Sequence, residues 1–261
     1  MQHKHGLRKR MRSGEAVVGV MLPLPCPGLV EILGYAGADF VILDAEHGAF
    51  SIPEIEHMLR AADAVNLPVI VRVPDHHHVF ISQVLDCGAA GVQIPHVRSR
   101  RDAERIVDAL RFTPLGSRGL GPVRASAYTS LETHAFIEKA HAETVLVAQI
   151  EDADAVSAIE SILSVRGVDV AFVGRHDLAA SLGVTGQLDH PIVKEHVERV
   201  VRACDDHGVV LGFSTNVSEG MTLLQRGARF LSLSFVPHTL QSWKSMLGDL
   251  ASGIGGDRGG R

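Results

Sequence analysis

Short apolar runs recur along the chain at 16–22, 39–43, 68–73, 91–94, 145–150, 168–173, 209–213 and 230–235. Most positions within each run are apolar, which suits a strand covered on both faces in a parallel sheet. Between the runs the period changes. Over 52–64, Ile55, Met58, Leu59 and Ala62 recur at helical spacing, and Ser51-Ile-Pro-Glu54 reads as a capping box with proline in the first turn. Segments 99–110, 152–163, 191–207 and 217–226 read as helices in the same way. A Gly-Ala pair precedes several strands, at Gly37, Gly88 and Gly227, and marks helices stopped by glycine. Eight strands alternating with helices predict an α/β fold, a single closed (β/α)8 TIM barrel, over an open doubly wound sheet. One domain is expected over 1–251, with a short N-terminal helix capping the bottom of the barrel.

Two stretches break the rhythm. Residues 112–130 are rich in glycine and arginine, too long and polar for a simple turn, and read as a binding or subunit-contact loop. They lack the spacing of a Walker-type phosphate loop. The tail, 252–261, is glycine-rich and charged and is expected to be disordered.

The 261 residues are close to the ~250 typical of one such barrel. A net charge of −5 leaves no whole-molecule case for nucleic acid as a partner. Lys4, Arg8, Lys9, Arg10 and Arg12 form only a weak basic patch, which suits a solvated helix better than a nucleic-acid arm or a targeting segment. Cys26, Cys87 and Cys204 are far apart and form no CxxC pair, so reduced thiols and a cytoplasmic location are expected. No apolar run approaches the ~20 residues of a membrane span, and no apolar core follows the N-terminal charges as in a secretory leader.

Barrel enzymes place their chemistry at the carboxyl ends of strands. Read there alone, the second strand ends in Asp44, Glu46 and His47, the third in Arg72, the fourth in Gln93 and His96. The fifth ends in Gln149 and Glu151, and the sixth runs into Gly174-Arg-His-Asp177; Ser214 and Ser234 end the last two. Glu151 and Asp177 follow consecutive strands, so their carboxylates can converge on a hard divalent ion such as Mg2+ or Mn2+. The plainer reading is a pair of acids at helix starts. The backbone N–H groups of His176 and Asp177 could bind a substrate carboxylate. Arg72, in an otherwise apolar strand, is either a structural ion pair or a clamp for an oxyanion. His47 is a candidate general base with Asp44 to orient it. None of the lysines lies in an expected strand, where a Schiff-base aldolase needs one; if the chemistry here is on a carbon–carbon bond, a metal must act as electron sink. His76-His77-His78 is a poor metal site, because three consecutive side chains point in different directions. Cys87 and Trp243 read as packing residues.

At these residues the sequence resembles the HpcH/HpaI aldolase/citrate lyase family, in particular its 2-keto-3-deoxy-sugar-acid and 4-hydroxy-2-oxo-acid aldolases. The matching stretches are Asp-Ala-Glu-His-Gly at 44–48, Val-Arg-Val-Pro at 71–74 and Gly-Val-Gln-Ile-Pro-His-Val at 91–97. Arg-Gly-Leu-Gly-Pro-Val-Arg-Ala at 118–125, Gln-Ile-Glu at 149–151 and Asp-Leu-Ala-Ala-Ser-Leu-Gly at 177–183 follow in family order. The resemblance implies a class II pyruvate aldolase that cleaves 4-hydroxy-2-oxo acids to pyruvate and an aldehyde. It implies Glu151 and Asp177 as ligands of the ion, with Co2+ a third candidate beside Mg2+ and Mn2+. Arg72 would stabilise an enolate oxygen, and His47 would handle the hydroxyl proton. Gln149, His176, Asp177 and Ser214 join Arg72 as expected substrate-binding residues; Glu46 and Gln149 fit water-holding or supporting roles. A homo-oligomer is implied, a hexamer built as a trimer of dimers, with Asp86 and the loop bearing Arg124 completing a neighbour's site and C-terminal helices exchanged. The chain departs from the family at Gly174-Arg-His, where Gly-Pro is common, and at Asp75-His-His-His. Alternatives are a lyase acting on a CoA thioester of the malyl or citramalyl type, and a barrel that binds a small acid without turning it over.

Overall fold

The computed structural model describes residues 6–253. Eight parallel strands, β1 (Val17–Leu22), β2 (Phe40–Asp44), β3 (Val69–Arg72), β4 (Gly91–Ile94), β5 (Val145–Ile150), β6 (Val170–Val173), β7 (Val210–Thr215) and β8 (Phe230–Ser234), pair in sequence order and close into a barrel. The helices are α1 (Leu7–Arg12), α2 (Pro27–Tyr35), α3 (Ile52–Ala64), α4 (His78–Asp86), α5 (Arg100–Leu110) and α6 (Thr133–Glu143). After them come α7 (Ala153–Ser157), α8 (Ile159–Leu163), α9 (Arg175–Ser181), α10 (Pro191–His207), α11 (Val217–Gln225) and α12 (Phe235–Gly253).

Side chains alternate along each strand between two apolar regions. One set, including Val41, Leu43, Val71 and Ile94, packs outward under the helices. The other, including Phe40, Ile42, Ile70, Val147, Phe172 and Phe230, fills the barrel interior. Phe40 stacks on Phe230 at 4.4 Å between ring centroids, and Phe172 meets Phe230 edge-on at 6.1 Å. This aromatic floor requires Gly19 on β1, where a Cβ would lie 2.4 Å from the Phe40 ring. Nothing above the floor on the interior face is purely apolar for long: Asp44, Arg72, Gln93 and Gln149 follow, all buried.

Helix α1 closes the base of the barrel. Leu7 and Met11 join the interior cluster. Arg8 Nε donates to Asp169 at 2.7 Å and its Nη1 to the His141 carbonyl at 2.7 Å, while Arg12 reaches Asp169 at 3.1 Å. Arg10 pairs with Glu15 and Asp39. These arginines hold the helix in place. Ser51 and Glu54 form the expected capping box at the start of α3.

Four features differ from the sequence reading. The helix expected over 152–163 is two, α7 and α8, separated at Ala158 (φ −96°, ψ 7°). Its apolar spacing continues across the break, so periodicity does not mark it; Ser157 Oγ donates back to the Ala153 carbonyl, a local bond that competes with regular helix. Helix α6 follows the long loop, in a stretch to which the sequence reading assigned no element. The last helix, α12, extends through Gly253, past the expected boundary at 251; the rest of the expected tail lies outside the described residues. Trp243, read as packing, lies on α12 with 56% of its surface exposed.

Candidate active site

The mouth of the barrel is built where β2, β3, β4, β5 and β6 end. Asp44, the last residue of β2, pairs in register with Arg72, the last of β3. Its Oδ1 accepts from Arg72 Nε at 2.9 Å and its Oδ2 from Arg72 Nη2 at 2.7 Å, a two-pronged contact. Oδ1 also accepts the backbone N–H groups of Glu46 and His47, each at 3.2 Å. The third guanidinium nitrogen, Nη1, lies 3.0 Å from Glu46 Oε2. Burial alone would raise the Asp44 carboxyl, but the hydrogen bonds and charge of Arg72, aided by the His47 N–H, outweigh it and hold Asp44 below the usual carboxylate range. Burial works against the charge on Arg72; Asp44, then Glu46 and Glu151, more than offset it.

His47 is two-thirds exposed, and the carboxylate nearest its ring is Glu46, with Oε2 3.9 Å from His47 Nε2. Asp44 therefore acts on His47 through the backbone of the turn, not through the imidazole as the sequence reading expected. The reason is geometric: Arg72, on the neighbouring strand, takes both Asp44 oxygens.

On the other side of the mouth stands Glu151, 1% exposed. Its Oε1 accepts the His96 backbone N–H at 2.9 Å. Its Oε2 accepts from Gln149 Nε2, and Gln149 Oε1 accepts from Gln93 Nε2. A carboxylate can only accept, so it sets the direction of both amides in this chain. Asp177 lies in the first turn of α9, and its charge adds to burial in raising the Glu151 carboxyl above the usual range, against the N–H groups of Gln149 and His96. Gly174 is needed between them, since a Cβ there would lie 2.6 Å from Glu151 Oε2. The first backbone bond of α9 runs from Leu178 N–H to Gly174 O at 3.0 Å, so the N–H groups of His176 and Asp177 precede it. The side chains of His176 and Asp177 are exposed. Ser214 Oγ lies 3.4 Å from Ser234 Oγ on the adjoining arc.

Two expected site residues lie elsewhere. Asp86 ends α4, which runs from the carboxyl end of β3 back towards the start of β4, and so sits at the far end of the barrel. There Arg118 Nη2 donates to it at 2.6 Å. Arg124 donates to the Cys87 carbonyl at 2.6 Å and to Asp63. Neither reaches the mouth of its own chain.

Several contacts at the mouth were not assigned a role from the sequence. His96 carries the N–H that holds Glu151, and Gln93 orients Gln149; both stood at strand ends, but only tertiary contact shows what they touch. Arg175 pairs with Glu219 on α11, donating from Nη2 to Oε2 at 2.9 Å. The histidine run is split: His76 Nε2 contacts the Pro95 carbonyl at 2.7 Å, while His77 and His78 stack at 5.2 Å. Among the described residues no group of three or more His, Cys, Asp or Glu side chains is placed to share an ion. The pair Glu151 and Asp177 remains: two carboxylates near enough for the charge of Asp177 to act on Glu151, whose Oε1 accepts the His96 backbone N–H and whose Oε2 accepts from Gln149. Such hard oxygen donors fit a divalent ion that keeps several waters.

A closed eightfold barrel with acids, a guanidinium and an imidazole gathered at the carboxyl ends of its strands is the frame of a barrel enzyme. The profile of the HpcH/HpaI aldolase/citrate lyase family matches residues 18–241. The chain belongs to that family and is a carbon–carbon lyase. It is 36% identical over 233 residues to a 4-hydroxy-2-oxovalerate aldolase of Novosphingobium aromaticivorans, covering 87% of each chain. Among solved structures it is similar to an HpcH/HpaI aldolase from Desulfitobacterium hafniense, with TM-score 0.87, 35% identity and 94% of this chain and 96% of that one covered. It is also similar to the citrate synthase SbnG, with TM-score 0.86, 30% identity and 96% and 98% covered.

Proposed function

We propose that the chain is a class II pyruvate aldolase, which reversibly cleaves 4-hydroxy-2-oxo acids to pyruvate and an aldehyde. The observation that carries this is the arrangement of two groups at one mouth: Arg72, braced by Asp44 and Glu46, and the buried carboxylate of Glu151, which feels the charge of Asp177 and whose own charge acts on Arg72. Glu151 and Asp177 would hold a divalent ion, Mg2+ or Mn2+, with Co2+ a third candidate. Such an ion, when bound, supplies Lewis-acid polarisation of a carbonyl.

The residues of the chain provide the rest. Arg72, held rigid by Asp44, offers positive charge to the oxygen on which negative charge develops as pyruvate enolate forms. Neutral His47 takes the 4-hydroxyl proton at Nε2, directly or through a water, as the C3–C4 bond breaks and its electron pair stays on C3. Glu46, beside both Arg72 and His47, is placed to steady the imidazolium that results. The N–H groups of His176 and Asp177, with Gln149 and Ser214 nearby, suit the carboxylate and keto end of the substrate. In the reverse direction C3 attacks the aldehyde and His47 returns the proton.

The test is pyruvate release from a set of 4-hydroxy-2-oxo acids, followed by coupling to lactate dehydrogenase, with Mg2+ or Mn2+ against EDTA. Release that requires the ion and is lost in Glu151→Ala is expected. Release that survives both treatments would remove the metal assignment. Absence of release from every hydroxy-oxo acid would turn the assignment to a lyase acting on a CoA thioester, or to a barrel that binds a small acid without turning it over.

We further propose a homo-oligomer, arranged as a hexamer. Support comes from α12, whose Val236, Leu240, Trp243, Leu247 and Leu250 form an exposed apolar stripe. Ile32 and Tyr35 on α2, and Val217 and Met221 on α11, are exposed as well. Patches of this kind mark contacts with another chain. In such an assembly Asp86, which lies away from the mouth of its own chain and accepts from Arg118 there, would serve a neighbour's mouth. No helix among the described residues is long and apolar enough to cross a membrane. The three cysteines are free, which supports a reducing, cytoplasmic setting.

A further inference from the structure

We propose that the Pro95–His96 peptide, held in a left-handed turn and anchored by His76, is the device that aims Glu151, making His96 and His76 positioning residues for the ion. The proposal rests on the metal reading above and concerns how that site is preorganised. His96 has φ 51°, an uncommon conformation for residues that bear a side chain, although Asn, Asp and His adopt it more often than the rest. Backbone strain persists only where the surroundings over-determine it, and it concentrates at functional sites.

Here the surroundings are visible at both ends of one peptide unit. Its N–H, on His96, donates to Glu151 Oε1 at 2.9 Å. Its carbonyl, on Pro95, lies 2.7 Å from His76 Nε2, which must be the protonated nitrogen to donate to it. The same turn brings the His96 ring alongside, with Nδ1 3.3 Å from Glu151 Oε1 and 3.1 Å from Asp152 Oδ2. With Gln149 on the second oxygen, Glu151 is gripped from β4 and β5 and cannot rotate. A ligand fixed on both oxygens presents its free lone pairs in one direction, and supports of this kind commonly carry 10–100-fold in metal affinity. His76 thereby has a use within the histidine run that needs no metal bound to the histidines themselves.

The test measures Mn2+ affinity of the apo protein by electron paramagnetic resonance, with thermal unfolding recorded beside it. His96→Gly adopts the left-handed turn freely and keeps the N–H, so its affinity is expected within about twofold of wild type. His96→Val disfavours the turn and is expected to bind about tenfold more weakly. His76→Leu loses the anchor and should weaken binding, and His76→Gln, which can still donate to Pro95, should restore it. If His96→Val does not fold, His96→Asn and His96→Ala replace it, with Asn expected to bind more tightly because it tolerates the turn. Wild-type affinity in His96→Val, or in Ala where that pair is used, overturns the proposal, as does a loss in His96→Gly equal to that in Val. Failure of the wild type to take up any divalent ion would instead remove the metal reading, and this proposal with it.

Discussion

Glu151 carries a proton to higher pH in the folded chain than in the unfolded one, because burial comes first and Asp177 adds to it. Between its ordinary value and the raised one the native state holds the extra proton. The ion-free protein therefore loses stability as pH climbs through that window. A divalent ion has to displace the same proton, so apparent Mn2+ affinity is expected to rise with pH across it. An affinity titration that stays flat there would argue against Glu151 as ligand. Asp44 has the opposite sign. Its carboxyl is held below the ordinary range, so its contribution is present above that range and lost as pH falls through the lowered value. Asp44→Asn leaves the buried Arg72 with one charged partner, Glu46, and should cost about 3 kcal/mol in urea unfolding. Gly174→Ala tests the close approach at the mouth: its Cβ meets Glu151, so Mn2+ affinity and turnover should fall while the barrel still unfolds cooperatively.

At the scale of elements, the strands and most helices were legible because burial imposes a period on the sequence. The capping box at Ser51 and the helix-stopping glycines at 37, 88 and 227, all with positive φ, followed from local rules alone. The break between α7 and α8 did not, since the apolar spacing carries on across it and the bond from Ser157 Oγ to the Ala153 carbonyl beside it leaves no periodic signal. Nor did the use of Gly19, which reads as a weak point in a strand and serves as the space into which Phe40 packs. Gly19→Ala should therefore destabilise by about 1–3 kcal/mol through overpacking, measured by thermal unfolding, although Ala is a milder strand residue than Gly. A neutral effect would show that the aromatic floor can shift.

At the scale of the molecule, the exposed stripe on α12 has no partner within the described chain. Trp243→Glu places a charge in that stripe and is expected to lower the assembly mass in light scattering with little change in the helical content. An unchanged mass would mean that α12 is not part of the interface. The separation of Asp86 from the mouth can be tested by mixing. If Asp86 of one copy completes the site of the next, Asp86→Ala and Glu151→Ala chains, each inactive alone, should regain activity when assembled together. Continued inactivity of the mixed assembly, with both chains shown to be present, would confine the site to one chain.

The sequence by itself determined the barrel, the arc of strand ends that carries chemistry, and the absence of a strand lysine. These are properties of pattern and residue type, which a linear chain displays directly. It could not decide who holds whom at the mouth. Arg72 could be read as a structural pair or as a clamp, and in three dimensions it is braced by Asp44 while keeping a face towards Glu46 and the mouth. Asp44 was expected on the His47 ring and is found on Arg72, because neighbouring strands bring residues 28 apart into register. The left-handed turn at His96 cannot be read from residue type, since histidine takes that conformation more often than most residues but is still found mainly outside it. Contacts between strands depend on register and tilt, which only the closed sheet supplies, and the closed sheet is what turns a row of strand-end residues into a site.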